Sequence, residues 1–488
     1  MQPGRSQKTL TLTQQTGLLM GPFLTMLDSS IMNVALPEIA NRMNSSLSAV
    51  QWVITAYLLA LSAASAAVAY LAKRFGTLRT YRISLIGFTL SSIACAFAPQ
   101  LGMLIAARTM QGALGAPLIP LVMGMLMGSE GSRSKNVSPA FGILLFLAPV
   151  IGPTIGGVLL HYFGWTSIFL INVPIGIFGV LAAVRLPGDP ADQGDPSVRF
   201  DPLGFLLLAA SLALTIYGAS NGPLHGWTST DAWPYWSMGG GLLLLYVLWS
   251  LRHPQPAVPL KLLQRRSAAL AVALCALTSV VTFSTVVLIP VLLENIQQHS
   301  PLAVGLSLFP QALVTGFGTV LGNKFAEKHG VRASAVTGML LLTLGTLLLQ
   351  LVDETTPIWQ TAVLLTFRGV AVGMVIQQLL SVILAGLNRQ ETADANTLFN
   401  ISQRLGGAVG IALLTTFLQI RQEHQIERLL AGLHLPTASV QHGMPTGAKL
   451  PEAVGSQLAQ AAIQGFHDTF WLLTLLAFVG FVAAFHLM

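Results

Sequence analysis

Asp28 lies in Leu27-Asp28-Ser29-Ser30-Ile31-Met32-Asn33-Val34-Ala35-Leu36-Pro37, part of a largely apolar run. A carboxylate at bilayer depth is expensive and normally faces a cavity or a partner. In apolar surroundings it is suited to taking up and releasing a proton. The plainer reading is a structural hydrogen-bond partner for a neighbouring helix. Arg108, in Arg108-Thr109-Met110-Gln111-Gly112, lies in another apolar run. Counted from the outer ends of their runs, both residues sit about 10–12 Å deep at the helical rise per residue. Matching depth allows an ion pair, and breaking it would couple proton uptake to movement. Arg368 and Arg404 are two further cations within apolar runs, read either as donors to helix carbonyls or as substrate contacts. Asn33, Trp52, Tyr57 and Gln111 join them as candidate cavity residues from their positions along the runs. Three arginines against one deep acid suit neutral, zwitterionic or anionic solutes better than dications.

These residues need apolar elements to hold them. Only 9% of the 488 residues are charged, against about 25% in soluble proteins. Mean hydropathy is +0.69, and polar residues cluster between apolar runs of about 20 residues, the length that spans a bilayer as helix. The chain therefore reads as an all-α polytopic membrane protein with fourteen spans. Residues 1–13 form a polar tail and 14–186 a first six-helix bundle. A linker at 187–201, two extra spans at 202–252 and a linker at 253–267 follow. A second six-helix bundle, 268–488, carries an external loop at 421–465. Cys95 and Cys275 both lie in apolar runs and suggest neither a disulfide framework nor a metal site. The net charge of +7 does not point to nucleic acid, because the cations collect on one face of the membrane. Of 25 Lys and Arg residues, the loops opposite that face hold only Arg42, Arg421, Arg428 and Lys449. This bias puts the N-terminus, and with an even number of spans the C-terminus, in the cytoplasm. No phosphate-binding Gly-x-x-x-x-Gly-Lys-Ser/Thr loop occurs, which argues against ATP-driven transport by this chain alone. Gly218-Ala219-Ser220-Asn221-Gly222, with His225 nearby, fits a hydrolase elbow in letters only. That elbow needs a preceding strand, and here the segment reads as a loop after a span.

Several stretches resemble one family. Pro149-Val150-Ile151-Gly152-Pro153-Thr154-Ile155-Gly156-Gly157 resembles the antiporter motif of helix five in major facilitator superfamily exporters. Its prolines would break a soluble helix but are tolerated in a membrane bundle, as a kink. Gly152 and Gly156 form a small-xxx-small pair that lets another helix approach closely. The Asp28 stretch, Arg108–Pro117 and Trp165–Gly176 resemble the corresponding signatures of the fourteen-span drug:proton antiporter group (EmrB/QacA type). The loop after span two, with Lys73, Arg74 and Gly76, resembles the family's helix 2–3 motif, but Lys73 stands where the family has Asp. That Asp supports a charge network latching the two halves on the cytoplasmic side, so the substitution puts the latch in doubt. An internal echo, Glu327, Lys328 and Gly330, follows span ten and keeps an acid. Asn396–Gly410, opening span thirteen, resembles the N-x-x-R-Q-L-G-G-x-x-G segment of the group with Gln and Arg exchanged, and Gly406 and Gly410 are placed for close packing.

The resemblance implies the superfamily fold, two six-helix bundles plus two inserted helices. It also implies a proton-coupled exporter of drugs or other lipophilic small molecules, located in the inner (plasma) membrane. Asp28 and Arg108 would couple the proton. No cofactor is implied beyond the proton gradient, and no enzymatic activity. The expected partners are substrate, protons and lipid, with a periplasmic adaptor and outer-membrane channel where the source has two membranes. A dedicated metabolite or lipid exporter and a non-transporting scaffold or sensor are the alternatives.

Overall fold

In hydrocarbon every backbone amide must be satisfied within the segment, so apolar runs of this length fold as helices. The computed structural model describes residues 12–127, 151–152, 155–186, 194–387, 389–433, 440–441, 444–445 and 452–487. Pro149 and Pro153 of the antiporter-like motif lie outside them, as does the side chain of Asn33.

The first half comprises α1 (Leu12–Arg42), α2 (Leu47–Ser65), α3 (Val68–Phe75), α4 (Thr77–Ala96), α5 (Leu101–Gly115) and α6 (Leu118–Met127). It continues through α7 (155–163), α8 (Thr166–Leu170) and α9 (Asn172–Val184). Next come α10 (Pro202–His225) and α11 (Trp233–Arg252). The second half comprises α12 (Arg266–Asn295), α13 (Pro301–His329), α14 (Val331–Leu347), α15 (Ile358–Leu384), α16 (Arg389–Leu433) and α17 (Glu452–Ala484). Among the described residues, eight helices are long and apolar enough to cross a bilayer, nine if α2 and α3, bent by 53°, are one span. The expected external loop at 421–465 is helical at both ends, because α16 runs on to Leu433 and α17 begins at Glu452.

Local chemistry fixes several helix starts. Ser46, Asp201 and Ser300 cap α2, α10 and α13 by accepting from the amides of Ala49, Gly204 and Ala303. Pro202 and Pro301 follow two of these caps, where a missing N–H costs nothing. At the other end of the chain's first half, Arg82 of α4 closes α9 by donating to the carbonyls of Ala183, Val184 and Leu186.

The halves repeat each other. Gly76 links α3 to α4 with φ 88° and ψ 145°, and Gly330 links α13 to α14 with φ 91° and ψ 156°. Both fall where a side chain is strained, so each turn depends on glycine. In the first half, Gly152 and Gly156 approach α1 at Ser30 and Ile31; in the second, Gly406 and Gly410 approach α12 at Ala276 and Val280. Hydrocarbon chains are as apolar as leucine, so such close backbone packing carries much of the helix association. α10 packs against α2 of the first half and α16 of the second. Trp227 donates to Thr416 Oγ1 at 2.8 Å, and Trp52 stacks on Tyr217 with ring centroids 5.8 Å apart. The Gly218–Gly222 stretch, expected to be a loop, is inside α10. Its Ser220 hydroxyl donates to the carbonyl of Ile216, as a helical serine does.

Candidate functional site

The buried residues of α5 are Leu104, Arg108, Gln111, Gly112 and Gly115, a spacing that puts them on one helical face. That face turns Arg108 and Gln111 toward α1. Arg108 Nη1 donates to Asp28 Oδ2 at 2.6 Å, with both side chains fully buried. The same nitrogen donates to Gln111 Oε1 at 2.7 Å, and Arg108 Nε donates to the Val53 carbonyl at 3.3 Å. Gln111 Nε2 donates to Ser92 Oγ at 2.7 Å and to Asp28 Oδ1 at 3.3 Å. Asn172, at the start of α9, donates from Nδ2 to Asp28 Oδ1 at 2.8 Å. The Arg108 guanidinium carbon lies 4.4 Å from the centre of the Tyr57 ring and 5.6 Å from that of Phe169. Arg108 Nη2, Tyr57 Oη and Asn172 Oδ1 are buried without a hydrogen bond among the described residues.

This cluster joins α1, α2, α4, α5 and α9 through one carboxylate. A buried ion pair is retained only when further hydrogen bonds meet its lone pairs and protons, and Asp28 receives three donors. A proton on Asp28 would cancel the charge that holds Arg108, while Gln111 and Asn172 remain to hold the neutral acid. The antiporter-like glycines back this site from outside. Gly152 abuts Ser30, two residues from Asp28, whereas Gly157 faces open space.

Asp28 and Arg108, expected as a proton-coupling pair, and Tyr57 and Gln111, expected among the cavity residues, lie together in this buried cluster. Asn172 and Ser92 were not singled out as site residues. Each is a small polar residue inside an apolar run, the signal that could have found them. Trp52 is 44% exposed and packs on α10, away from the cluster. Arg368 is fully buried in α15 of the second half. It donates from Nε to Thr346 Oγ1 and from Nη2 to the Val281 carbonyl, both at 3.3 Å. Its Nη1 has no partner among the described residues. Arg404 of α16 is half-buried and within electrostatic reach of Tyr57 across the two halves.

The loop residues separate in the same way. Lys73, at the end of α3, forms an ion pair with Asp394 of α16, linking the first half to the second. The Asp394 side chain is 4% exposed and that of Lys73 22%. Arg74 is half-buried beside Gly76, while Glu327 and Lys328 are exposed at the end of α13. Among the described residues, no ion pair joins Glu327 or Lys328 to the first half.

Residues 18–411 match the family model described as Major Facilitator Superfamily. The chain is 30% identical to the Multidrug resistance protein B homolog of Mycobacterium tuberculosis, over 90% of this chain and 82% of that one. It is 32% identical to the Probable actinorhodin transporter of Streptomyces coelicolor, over 82% and 71%. It is 28% identical to the Multidrug export protein EmrB of Haemophilus influenzae, over 93% and 91%. In fold it is similar to the human organic anion transporter MFSD10 (TETRAN), with a TM-score of 0.57 and 15% identity, covering 95% of this chain and 98% of that one.

Proposed function

Since the chain belongs to the Major Facilitator Superfamily, we propose that it exports lipophilic small molecules in exchange for protons, by alternating access. It is a multi-pass membrane protein of a transporter family related to multidrug exporters, and not an enzyme. The observation that carries the proton reading is the fully buried Asp28, paired with Arg108 and held by Gln111 and Asn172. With Asp28 ionised, the pair ties α1 to α5. With Asp28 protonated, the tie weakens and Arg108 keeps only its bonds to Gln111 and the Val53 carbonyl. That difference gives the proton a mechanical consequence between helices of the first half.

The architecture in this reading is fourteen spans: two six-helix bundles and the inserted α10 and α11. Both termini are cytoplasmic, and the membrane is the inner (plasma) membrane. The Lys73 end is then cytoplasmic, and the Lys73–Asp394 pair supports an arrangement closed on that side. Where the source has two membranes, a periplasmic adaptor and an outer-membrane channel would complete the route. Arg404 favours solutes that are neutral, zwitterionic or anionic.

The test uses proteoliposomes with an imposed pH gradient and a lumenal pH dye. Lipophilic cations, zwitterions and anions are added to wild type and Asp28→Asn. Substrate-evoked proton movement in wild type, absent in the variant, is the expected result; movement that survives in Asp28→Asn would move the proton site elsewhere. A dedicated metabolite exporter is the second reading, favoured by the similarity to a probable actinorhodin transporter. It predicts proton movement with one compound class and silence with the rest of the panel.

A further inference from the structure

Helices α10 and α11 enter and leave the bundle through two segments, 194–201 before α10 and 253–265 after α11. With the end of α3 and the turn between α15 and α16, these segments enclose a cavity of about 770 Å³. It contains groups of both signs, but they are not equivalent. The carboxylates are engaged. Asp201 accepts from the Gly204 and Ala257 amides and from Trp249 Nε1. Asp195 accepts from the amide and hydroxyl of Ser197, Asp394 is paired with Lys73, and Glu391 is engaged as well. The cations Arg199, Lys261 and Arg265 line the same cavity, are exposed, and have no ionic partner among the described residues. Arg265 spends one nitrogen on the Ala385 carbonyl, at 3.2 Å. Counting Lys73, four cations and four carboxylates line the cavity, so its formal charge balances; the cations not paired with an acid are Arg199, Lys261 and Arg265, two of them guanidinium groups, whose planar forks match phosphate oxygens.

The rim is apolar. Phe200 lines the cavity beside Arg199, and Phe75 flanks the Tyr70 ring that Phe200 packs against; both Phe rings are exposed. Leu203 and Leu206, on the first turns of α10, are 46% and 62% exposed. A polar hollow with three unpaired cations, beside exposed aromatic and aliphatic side chains at a helix end, suits a molecule with an anionic head and hydrocarbon tails.

We propose that this cavity binds a phosphate group, that of an acidic phospholipid, with Arg199, Lys261 and Arg265 around the head and the chains along α10. The same cations would accept a free phosphate, so the test separates the two sources. Full-length protein is placed in nanodiscs of phosphatidylcholine alone or with phosphatidylglycerol added, and the triple variant Arg199→Gln/Lys261→Gln/Arg265→Gln is treated alike. All three side chains are exposed, and unfolding in phosphatidylcholine alone checks that the variant is folded. In wild type, phosphatidylglycerol is expected to raise the unfolding temperature and to stay bound through native mass spectrometry. Each cation near a membrane surface is worth about fivefold in affinity, so the variant should bind roughly a hundredfold more weakly. Equal stabilisation of wild type and variant overturns the site. Saturable stabilisation of detergent-solubilised wild type by inorganic phosphate, with no response to phosphatidylglycerol, overturns the lipid assignment.

Discussion

Lys73 of α3 and Asp394 of α16 form the one ion pair, among the described residues, that joins the first half of the chain to the second. The Lys73 ammonium meets an opposite charge from the second half. Lys73→Asp sets two carboxylates side by side, with Asp394 nearly buried. The expected cost is about 1–3 kcal/mol, below that of breaking a fully buried pair because Lys73 is partly solvated. The variant should open the Lys73 end, read as faster labelling of single cysteines placed there. Lys73→Asp/Asp394→Lys should restore the slow rate. Labelling that is unaffected by either single reversal would show that the pair does not hold the halves together.

The three donors on Asp28 make a second prediction. Asn172→Ala and Gln111→Ala each remove a hydrogen bond to Oδ1, and each is expected to destabilise the protein by about 1–3 kcal/mol. Both act on one buried carboxylate, so the double variant should depart from additivity by about 0.5 kcal/mol or more. Thermal unfolding of the four proteins in one detergent measures this. Simple additivity would mean that the two amides hold Asp28 independently and that the cluster is not a single unit.

What could be read beforehand followed from helical arithmetic. Counted from the outer ends of their runs, Asp28 and Arg108 fall at equal depth, which allowed a pair; that the side chains meet depends on how the helices pack. Gly152 with Gly156 and Gly406 with Gly410 sit at a spacing of four, so close helix approach was foreseeable. Asn172 needed the orientation of α9 against α1, which no local spacing supplies. Asp394 belongs to no motif and lies 321 residues from Lys73, so only the packing of the halves reveals it. Trp52 looked like a cavity residue because its helix was known but the seat of α10 beside it was not. The Ser220 stretch looked like a loop because the span before it was taken to end there, but glycine is common in membrane helices and the helix continues through it.

The glycine contacts allow a contrast within one motif. A Cβ on Gly152 would fall 2.5 Å from Ser30 Oγ and 2.6 Å from Ser30 Cβ, whereas one on Gly157 would meet nothing within 4 Å. Gly152→Ala must push α1 outward beside Asp28, at about 1–3 kcal/mol for overpacking. Gly157→Ala should stay within about 0.5 kcal/mol of wild type. Unfolding temperatures, with substrate-evoked proton movement in proteoliposomes, compare the two. A neutral Gly152→Ala would show that α1 yields there and that the close approach does not matter.

The two arginines of the second half should part company. Arg368 is fully buried with no carboxylate beside it among the described residues, and its stem packs against Gly345. Replacing a buried, poorly compensated charge with an apolar group of similar shape is often neutral or stabilising. Arg368→Met is therefore expected to keep both fold and transport, with unfolding at the wild-type temperature or above it. Arg404 is half-buried, lies within electrostatic reach of Tyr57 and has no ionic partner among the described residues. Arg404→Gln should leave unfolding within about 0.5 kcal/mol of wild type. It should cut transport of lipophilic anions roughly tenfold or more, the loss of one charge-assisted contact of about 1.5–3 kcal/mol, while sparing neutral solutes. Uptake of an anion and a neutral compound by the same vesicles decides it. Equal loss for both compounds would make Arg404 a structural residue, and strong transport of dications by wild type would overturn the substrate preference itself.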